Sequence, residues 1–242
     1  MAGRSKKPQG PVPPLITESD PKSPASEAYR TLRTNIQFAG LDQPAKSIVI
    51  TSASAGEGKT TTVANFGVVA AQAGTRVCAI DSDLRRPALH RIFGLQNTQG
   101  LTTALLEGLP FAKVAQPTRV PNLSVVTSGP LPPNPAELVG SKRMRELLEG
   151  AASDFDLVLL DTPPVISVSD GVSLAAQCDG VILIIRVGTI PHEVVRRAAE
   201  HIEAVKGRIL GVLLNSVNLT RDGYYYDYYR YYHAYYGGDK KR

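Results

Sequence analysis

The stretch "SIVITSASAGEGKTT", residues 47–61, changes character halfway. Its first half is a continuous apolar run, Ile48 to Ile50, of the kind found in strands buried on both faces. Its second half, Ala53 to Thr60, is small and polar and ends in Gly58-Lys59-Thr60. That spacing fits the phosphate-binding loop, with Ala53 in the first small-residue slot. Small residues let backbone N–H groups turn inward around phosphate oxygens, and the start of the following helix adds positive potential. Ala55, Gly56, Glu57, Gly58, Lys59, Thr60 and Thr61 are therefore the expected cradle. Lys59 is placed to neutralise β and γ oxygens, and the Thr60 hydroxyl to take a Mg²⁺ position. The plainer alternative is a glycine-containing helix start that binds nothing; the setting between a strand and a helix weighs against it.

Outward from the loop, the chain alternates. The runs 76–83, 123–129, 157–164, 180–188 and 209–217 are short, apolar and end in small or polar residues. Helical stretches separate most of them, notably 58–74, 135–153 and 190–207. Buried strands alternating with helices predict an α/β fold, a P-loop NTPase with a mostly parallel central sheet covered on both faces. Ligands of such sheets gather at the carboxyl ends of the strands. Asp81 and Asp83 lie at the end of the second run, and Asp161 near the end of the fourth. A hard cation beside bound phosphates takes oxygen ligands, so Thr60, Asp81, Asp83 and Asp161 are the expected Mg²⁺ residues. One strand-end aspartate alone would read equally well as a turn residue.

The bulk numbers narrow the rest. At 242 residues, with 43% hydrophobic and 20% charged, the chain fits one domain with a buried core. Cys78 and Cys178 have no metal or redox spacing and read as buried thiols of a reducing compartment. No apolar run approaches the ~20 residues that span a bilayer, and no signal pattern follows Met1, so a cytoplasmic chain is expected. The net charge of +5 is partly terminal, in Arg4, Lys6 and Lys7 and in Lys240, Lys241 and Arg242. Such ends read as solvated tails, and no nucleic-acid partner is expected. Residues 1–25 are proline-rich and basic and read as a flexible arm, with the folded domain over 26–222. There Ser26 opens a helix as an N-cap, and Tyr29, Leu32 and Ile36 form its apolar line.

Four segments together, "SAGEGKTT", "IDSDLRRPALHRIFG", "GPLPPNPAEL" and "LLDTPPVISVSD", resemble the bacterial tyrosine kinases, the P-loop autokinases that regulate capsular and exopolysaccharide production. The resemblance implies ATP and Mg²⁺ as cofactors and gives the residues their roles. Lys59 and Thr60 would hold phosphate and metal, and Asp81 and Asp161 would help bind the metal. Asp83 would act as base or orienting group for the incoming tyrosine hydroxyl. A phenol with pKa about 10 must lose its proton during transfer, which is the chemical reason for such a group. Partitioning ATPases of the same fold carry a second lysine five residues before the loop lysine; that position is Ser54 here. An ATPase switch without kinase activity, and a non-catalytic scaffold, are the competing readings. Arg85 and Arg86 could hold a phosphate or a partner's acidic groups, or pair within the fold.

The same resemblance accounts for the C-terminal segment 223–242. Nine of the ten tyrosines lie there: Tyr224, Tyr225, Tyr226, Tyr228, Tyr229, Tyr231, Tyr232, Tyr235 and Tyr236. In the family such a cluster is autophosphorylated in trans; alone, it would read as a sticky segment or an aromatic platform. "EAYRTLR" resembles the family's subunit-contact helix, with Glu27, Arg30 and Arg33 as contacts in a ring-shaped homo-oligomer, an octamer being the candidate size. Alone it would read as an amphipathic helix with a solvated charged face. Without a membrane segment the chain resembles the split type. The implied partners are a separate membrane activator with a cytoplasmic tail, a cognate phosphotyrosine phosphatase and protein substrates, at the inner face of the membrane.

Overall fold

The structure, a computed structural model, describes residues 14–39 and 44–217. In chain order its helices and strands are α1 (Ile16–Ser19), α2 (Pro24–Ala39), β1 (Ser47–Ser52), α3 (Lys59–Gln72), β2 (Val77–Asp81), α4 (Leu89–Phe93), α5 (Leu101–Glu107), α6 (Phe111–Val114), β3 (Ala115–Pro117), β4 (Leu123–Val126), α7 (Pro135–Val139), α8 (Lys142–Asp154), β5 (Leu157–Asp161), α9 (Asp170–Ala175), β6 (Gly180–Arg186), α10 (His192–Ala204) and β7 (Ile209–Asn215). The described strands form one seven-stranded sheet in the order β3-β4-β2-β5-β1-β6-β7. All neighbours are parallel except β3 against β4.

Side chains alternate between two cores, as a pleated strand requires. Val49, Ile80, Val158, Leu160, Val181 and Leu183 face one, beneath α5, α8, α9 and α10. Ile48, Ile50, Ala79, Leu159, Ile182 and Ile184 face the other, beneath α1, α2 and α3. Each large side chain so enclosed contributes about 1.5–3 kcal/mol by leaving water. The central strands are apolar on both faces because helices cover both, which is why their sequence reads as unbroken runs rather than alternating ones.

All six sequence runs are strands, and each of the five later ones ends earlier than the run itself. The residues left over, such as Ser82 and Asp83 or Thr162 to Pro164, turn outward and build the rim. β3 escaped notice because a three-residue edge strand ending in Pro117 carries no periodic signal. The stretch 135–153 is two helices, not one: Gly140 ends α7, and the Ser141 hydroxyl accepts the Met144 amide to cap α8.

The expected arm is corrected over its last residues. Leu15 and Thr17 are buried, and the Thr17 hydroxyl donates to Asn65 Oδ1 of α3 at 2.9 Å. Packed chain therefore begins well before residue 26; residues 1–13 lie outside the described residues. Ser26 is not the N-cap. Ser23 is, accepting the Ser26 amide at 3.2 Å with Pro24 at the first helical position. The Ser26 hydroxyl instead reaches the carbonyls of Ile16 and Asp20 and ties α1 to α2. The line Tyr29, Leu32, Ile36 packs on the α3 side of the sheet as expected.

Candidate active site

The loop from Ala53 to Gly58 joins β1 to α3 at the carboxyl edge of the sheet. Gly56 and Gly58 have φ of +79° and +100°, where an L side chain is strained. At Gly58 a second constraint applies: a Cβ would collide with the Asn215 side chain from the end of β7. Asn215 Nδ2 donates to the Glu57 carbonyl at 2.8 Å, so the last strand presses on the loop. Gly56 has no atom within reach of an added Cβ. Gly58→Ala should therefore cost about 1–2 kcal/mol of stability and weaken nucleotide binding, and Gly56→Ala should cost less of both. Melting curves and titration with a fluorescent nucleotide check the order.

Glu57 is almost fully buried, and its carboxylate faces inward. One oxygen accepts the Ser54 amide and the other the Arg186 amide of β6, at 3.0 Å. The side chain is thus a brace across the loop, leaving its backbone N–H as the group it can offer a phosphate. Lys59 is 7% exposed, and its Nζ donates to the Ser52 hydroxyl at 3.0 Å. Burial lowers the Lys59 pKa, opposed by the charges of Asp161, Asp83 and Glu57. Among the described residues this ammonium lies deep among carboxylates with a single neutral acceptor, from which it can turn to an anion that offers more.

The acidic residues meet where β2 and β5 end side by side, Asp81 opposite Asp161. Both are buried. Asp81 Oδ2 accepts the amides of Ala88 and Leu89, each at 2.9 Å, while its Oδ1 is enclosed without a hydrogen-bond partner among the described residues, as is Asp161 Oδ1. Burial pushes Asp81 up to about 7, with further repulsion from Asp83, against the lowering effect of the two amides. Asp161 is raised well above the usual carboxylate range by burial and by Asp81; the Thr60 hydroxyl and Lys59 pull the other way. Asp83 is more exposed, its Oδ1 accepting the amides of Arg85 at 3.2 Å and Arg86 at 2.9 Å. Among the described residues no three His, Cys, Asp or Glu side chains gather closely enough to hold a metal unaided. Two enclosed, unpartnered carboxylate oxygens next to a loop hydroxyl fit instead an ion shared with a ligand's phosphates and water, as Mg²⁺ prefers.

Loop, lysine and acidic strand ends come together as the sequence spacing implied. The AAA domain family matches residues 45–214. Tyrosine-protein kinase YwqD of Bacillus subtilis is 45% identical over 87% of this chain and 90% of its own. The chain belongs to the bacterial tyrosine-protein kinases. Two solved structures share the fold closely. The kinase domain of Escherichia coli tyrosine kinase ETK aligns with TM-score 0.82 and 34% identity, over 89% of this chain and 84% of that one. The chimerical protein CapA2B2 aligns with TM-score 0.80 and 39% identity, over 84% and 89%. This tyrosine kinase thus has the nucleotide-binding P-loop fold, with Asp81 and Asp161 at the ends of the two strands beyond β1.

The helix of the proposed subunit contact is present, but all three of its charges are engaged within the chain. Arg30 pairs with Glu27 and donates to the Pro21 carbonyl at 2.8 Å, on an exposed face. Arg33 turns toward α3, donating to the Val69 carbonyl at 3.4 Å. The nine clustered tyrosines lie outside the described residues. Among the described residues no helix is long and apolar enough to cross a membrane. Sequence reasoning left Arg85 undecided and missed Ser52 and Asp170. Arg85 Nε and Nη2 meet the Asp170 carboxylate at 2.9 and 3.0 Å, so it pairs within the fold. Asp170 lies nine residues past Asp161, with only its acidic character in an otherwise small-residue stretch as a signal.

Proposed function

We propose that this kinase transfers the γ-phosphoryl group of ATP to the C-terminal tyrosines of a neighbouring copy, with the packed chain from Leu15 onward as catalytic unit and 223–242 as substrate tail. The observation that carries the reading is the buried Asp81–Asp161 pair with its two unpartnered oxygens, set beside a lysine that holds only one neutral acceptor.

Backbone N–H groups of Ala55 to Thr61 would hold the phosphates, and Lys59 would leave Ser52 for their β and γ oxygens. Thr60, Asp81 and Asp161, with a share from Asp83, would hold Mg²⁺, whose charge offsets that of the transferring group. Asp83, exposed enough to meet a phenol, accepts its proton. The bond from the γ-phosphorus to the β–γ bridging oxygen breaks, a bond to the phenolate oxygen forms, and ADP departs. The phosphotyrosine remains on the tail, and the proton passes from Asp83 to water.

The wider setting follows from the family resemblance. We place the kinase at the inner face of the membrane through a separate activator protein, in a ring-shaped homo-oligomer contacting through Glu27, Arg30 and Arg33. A phosphotyrosine phosphatase resets it, and capsular or exopolysaccharide synthesis is the process served.

Intact mass after incubation with Mg-ATP and activator tail tests the reading. Phosphoryl additions confined to the C-terminal peptide, and lost when all nine tyrosines are phenylalanine, are expected. ADP release without additions would make the chain an ATPase switch, and neither product would make it a scaffold.

A further inference from the structure

We propose that Arg85 and Asp170 form a positioning pair that sets Asp83 against the phosphate loop, an inference that rests on the kinase reading above. The two loops that leave the adjacent strands β2 and β5 carry the acidic groups of the site, and they differ in how firmly they are held. The β5 loop is sewn to β1. Thr51 Oγ1 donates to the Pro163 carbonyl at 3.1 Å, the Val165 amide to the Ser52 carbonyl at 3.0 Å, and Thr162 Oγ1 to the Ile50 carbonyl at 3.1 Å. Asp170, at the start of α9, stands on that fixed base with a fully buried carboxylate. Gly171 beside it packs so closely on Pro163 and Val165 that an added Cβ would touch both.

The β2 loop is anchored on either side of Asp83, by the Ser82 amide donating to the Asp161 carbonyl at 2.9 Å and by the buried Leu84 side chain, but among the described residues the Asp83 carboxylate itself has no hydrogen bond to another loop. The Asp81 carboxylate holds the far end of this loop, at Ala88 and Leu89. In the middle, Asp83 Oδ1 bonds only to amides of its own loop, Arg85 and Arg86. Those local bonds fix the carboxylate relative to Arg85 but not relative to the phosphate loop. The forked contact from Arg85 Nε and Nη2 to the two Asp170 oxygens closes that gap. A two-point guanidinium–carboxylate contact fixes orientation as well as distance, which one ammonium contact does not. Asp83 is thereby referred, through one residue, to the rigid loop that also carries Asp161. In this role Arg85 acts through Asp83 rather than on nucleotide or phenol, and Asp170 acts through Arg85.

The test is the double variant Arg85→Gln with Asp170→Asn, which removes both charges together and leaves no lone buried carboxylate. Its melting temperature should stay close to wild type. With Mg-ATP, kcat for tail phosphorylation should fall about 10- to 100-fold, the scale of a small misplacement of a reacting group, while KM for ATP moves less than about threefold. Asp83→Asn should then cost far less in the double variant than in wild type, because the carboxylate is already out of place. Wild-type turnover in a well-folded double variant would overturn the pair alone, as would an undiminished cost of Asp83→Asn. If the double variant melts early, Arg85→Lys decides. It keeps the charge without the fork, so a reduced kcat at wild-type stability supports the proposal, and wild-type kcat refutes it. A wild-type chain that transfers nothing to tyrosine would overturn both this inference and the kinase reading.

Discussion

Replacing Lys59 by Met should lower tyrosine phosphorylation about 10³-fold or more, the scale on which a charge aimed at a transferring phosphoryl group acts. Methionine nearly matches the length and volume of the lysine stem, so the packing of this buried side chain survives. What disappears is the ammonium, and with it the countercharge among Asp161, Asp83 and Glu57. Lys59 rests on a neutral hydroxyl, Ser52 Oγ, which a polyanion outcompetes at little cost. The lost interaction therefore belongs mainly to the loaded, reacting state, and kcat should suffer more than nucleotide affinity. Single-turnover transfer with saturating Mg-ATP, alongside melting curves of the free protein, measures both. A variant that folds normally and transfers within tenfold of wild type would remove Lys59 from the mechanism.

What could be read from residue order follows a physical division. The P-loop, the strand-end aspartates and the six long strands were legible because they depend on local chemistry: small residues where backbone must approach an anion, and apolar runs where both faces are covered. β3 was not, because its place comes from pairing with β4 rather than from any pattern of its own. The inward turn of Glu57 was hidden for a similar reason. A glutamate inside a phosphate loop looks exposed until the Arg186 amide, 129 positions away in the chain, arrives to hold it. Asp170 and Arg85 are 85 positions apart and meet only because β2 and β5 are neighbours. The helix at Pro24–Ala39 shows the limit from the other side. Its apolar line was readable, but nothing in the spacing of Glu27, Arg30 and Arg33 said that Arg33 would lean on α3.

Asp161→Asn should do two opposite things: abolish transfer and make the nucleotide-free protein more stable at alkaline pH. The folded chain encloses two neighbouring carboxylates, Asp81 and Asp161, and both are raised in pKa by burial. Unfolded aspartates titrate near 3.9. Below that value both states are protonated and the pair imposes no penalty. Above it the unfolded chain ionises while the folded chain keeps its protons, so stability falls as pH rises. For Asp81 the fall continues to about 7, where the folded group ionises too. At pH 8 the whole of Asp81's share of the penalty is present. Substituting the amide removes the buried charge of residue 161 and its repulsion of Asp81. Lys59 loses one countercharge but keeps Asp83 and Glu57, so the gain should exceed the loss. A net gain of 1–2 kcal/mol corresponds to a melting temperature about 3–6 °C higher in a protein of this size. Scans at pH 8 and pH 5.5, without nucleotide and with a chelator, should show the variant well above wild type at the first pH and above it by less at the second, because the penalty already builds from about 3.9 upward. A variant that melts below wild type at both would mean that the pair is not held under charge strain, and that no stability is given up here to keep a metal site ready.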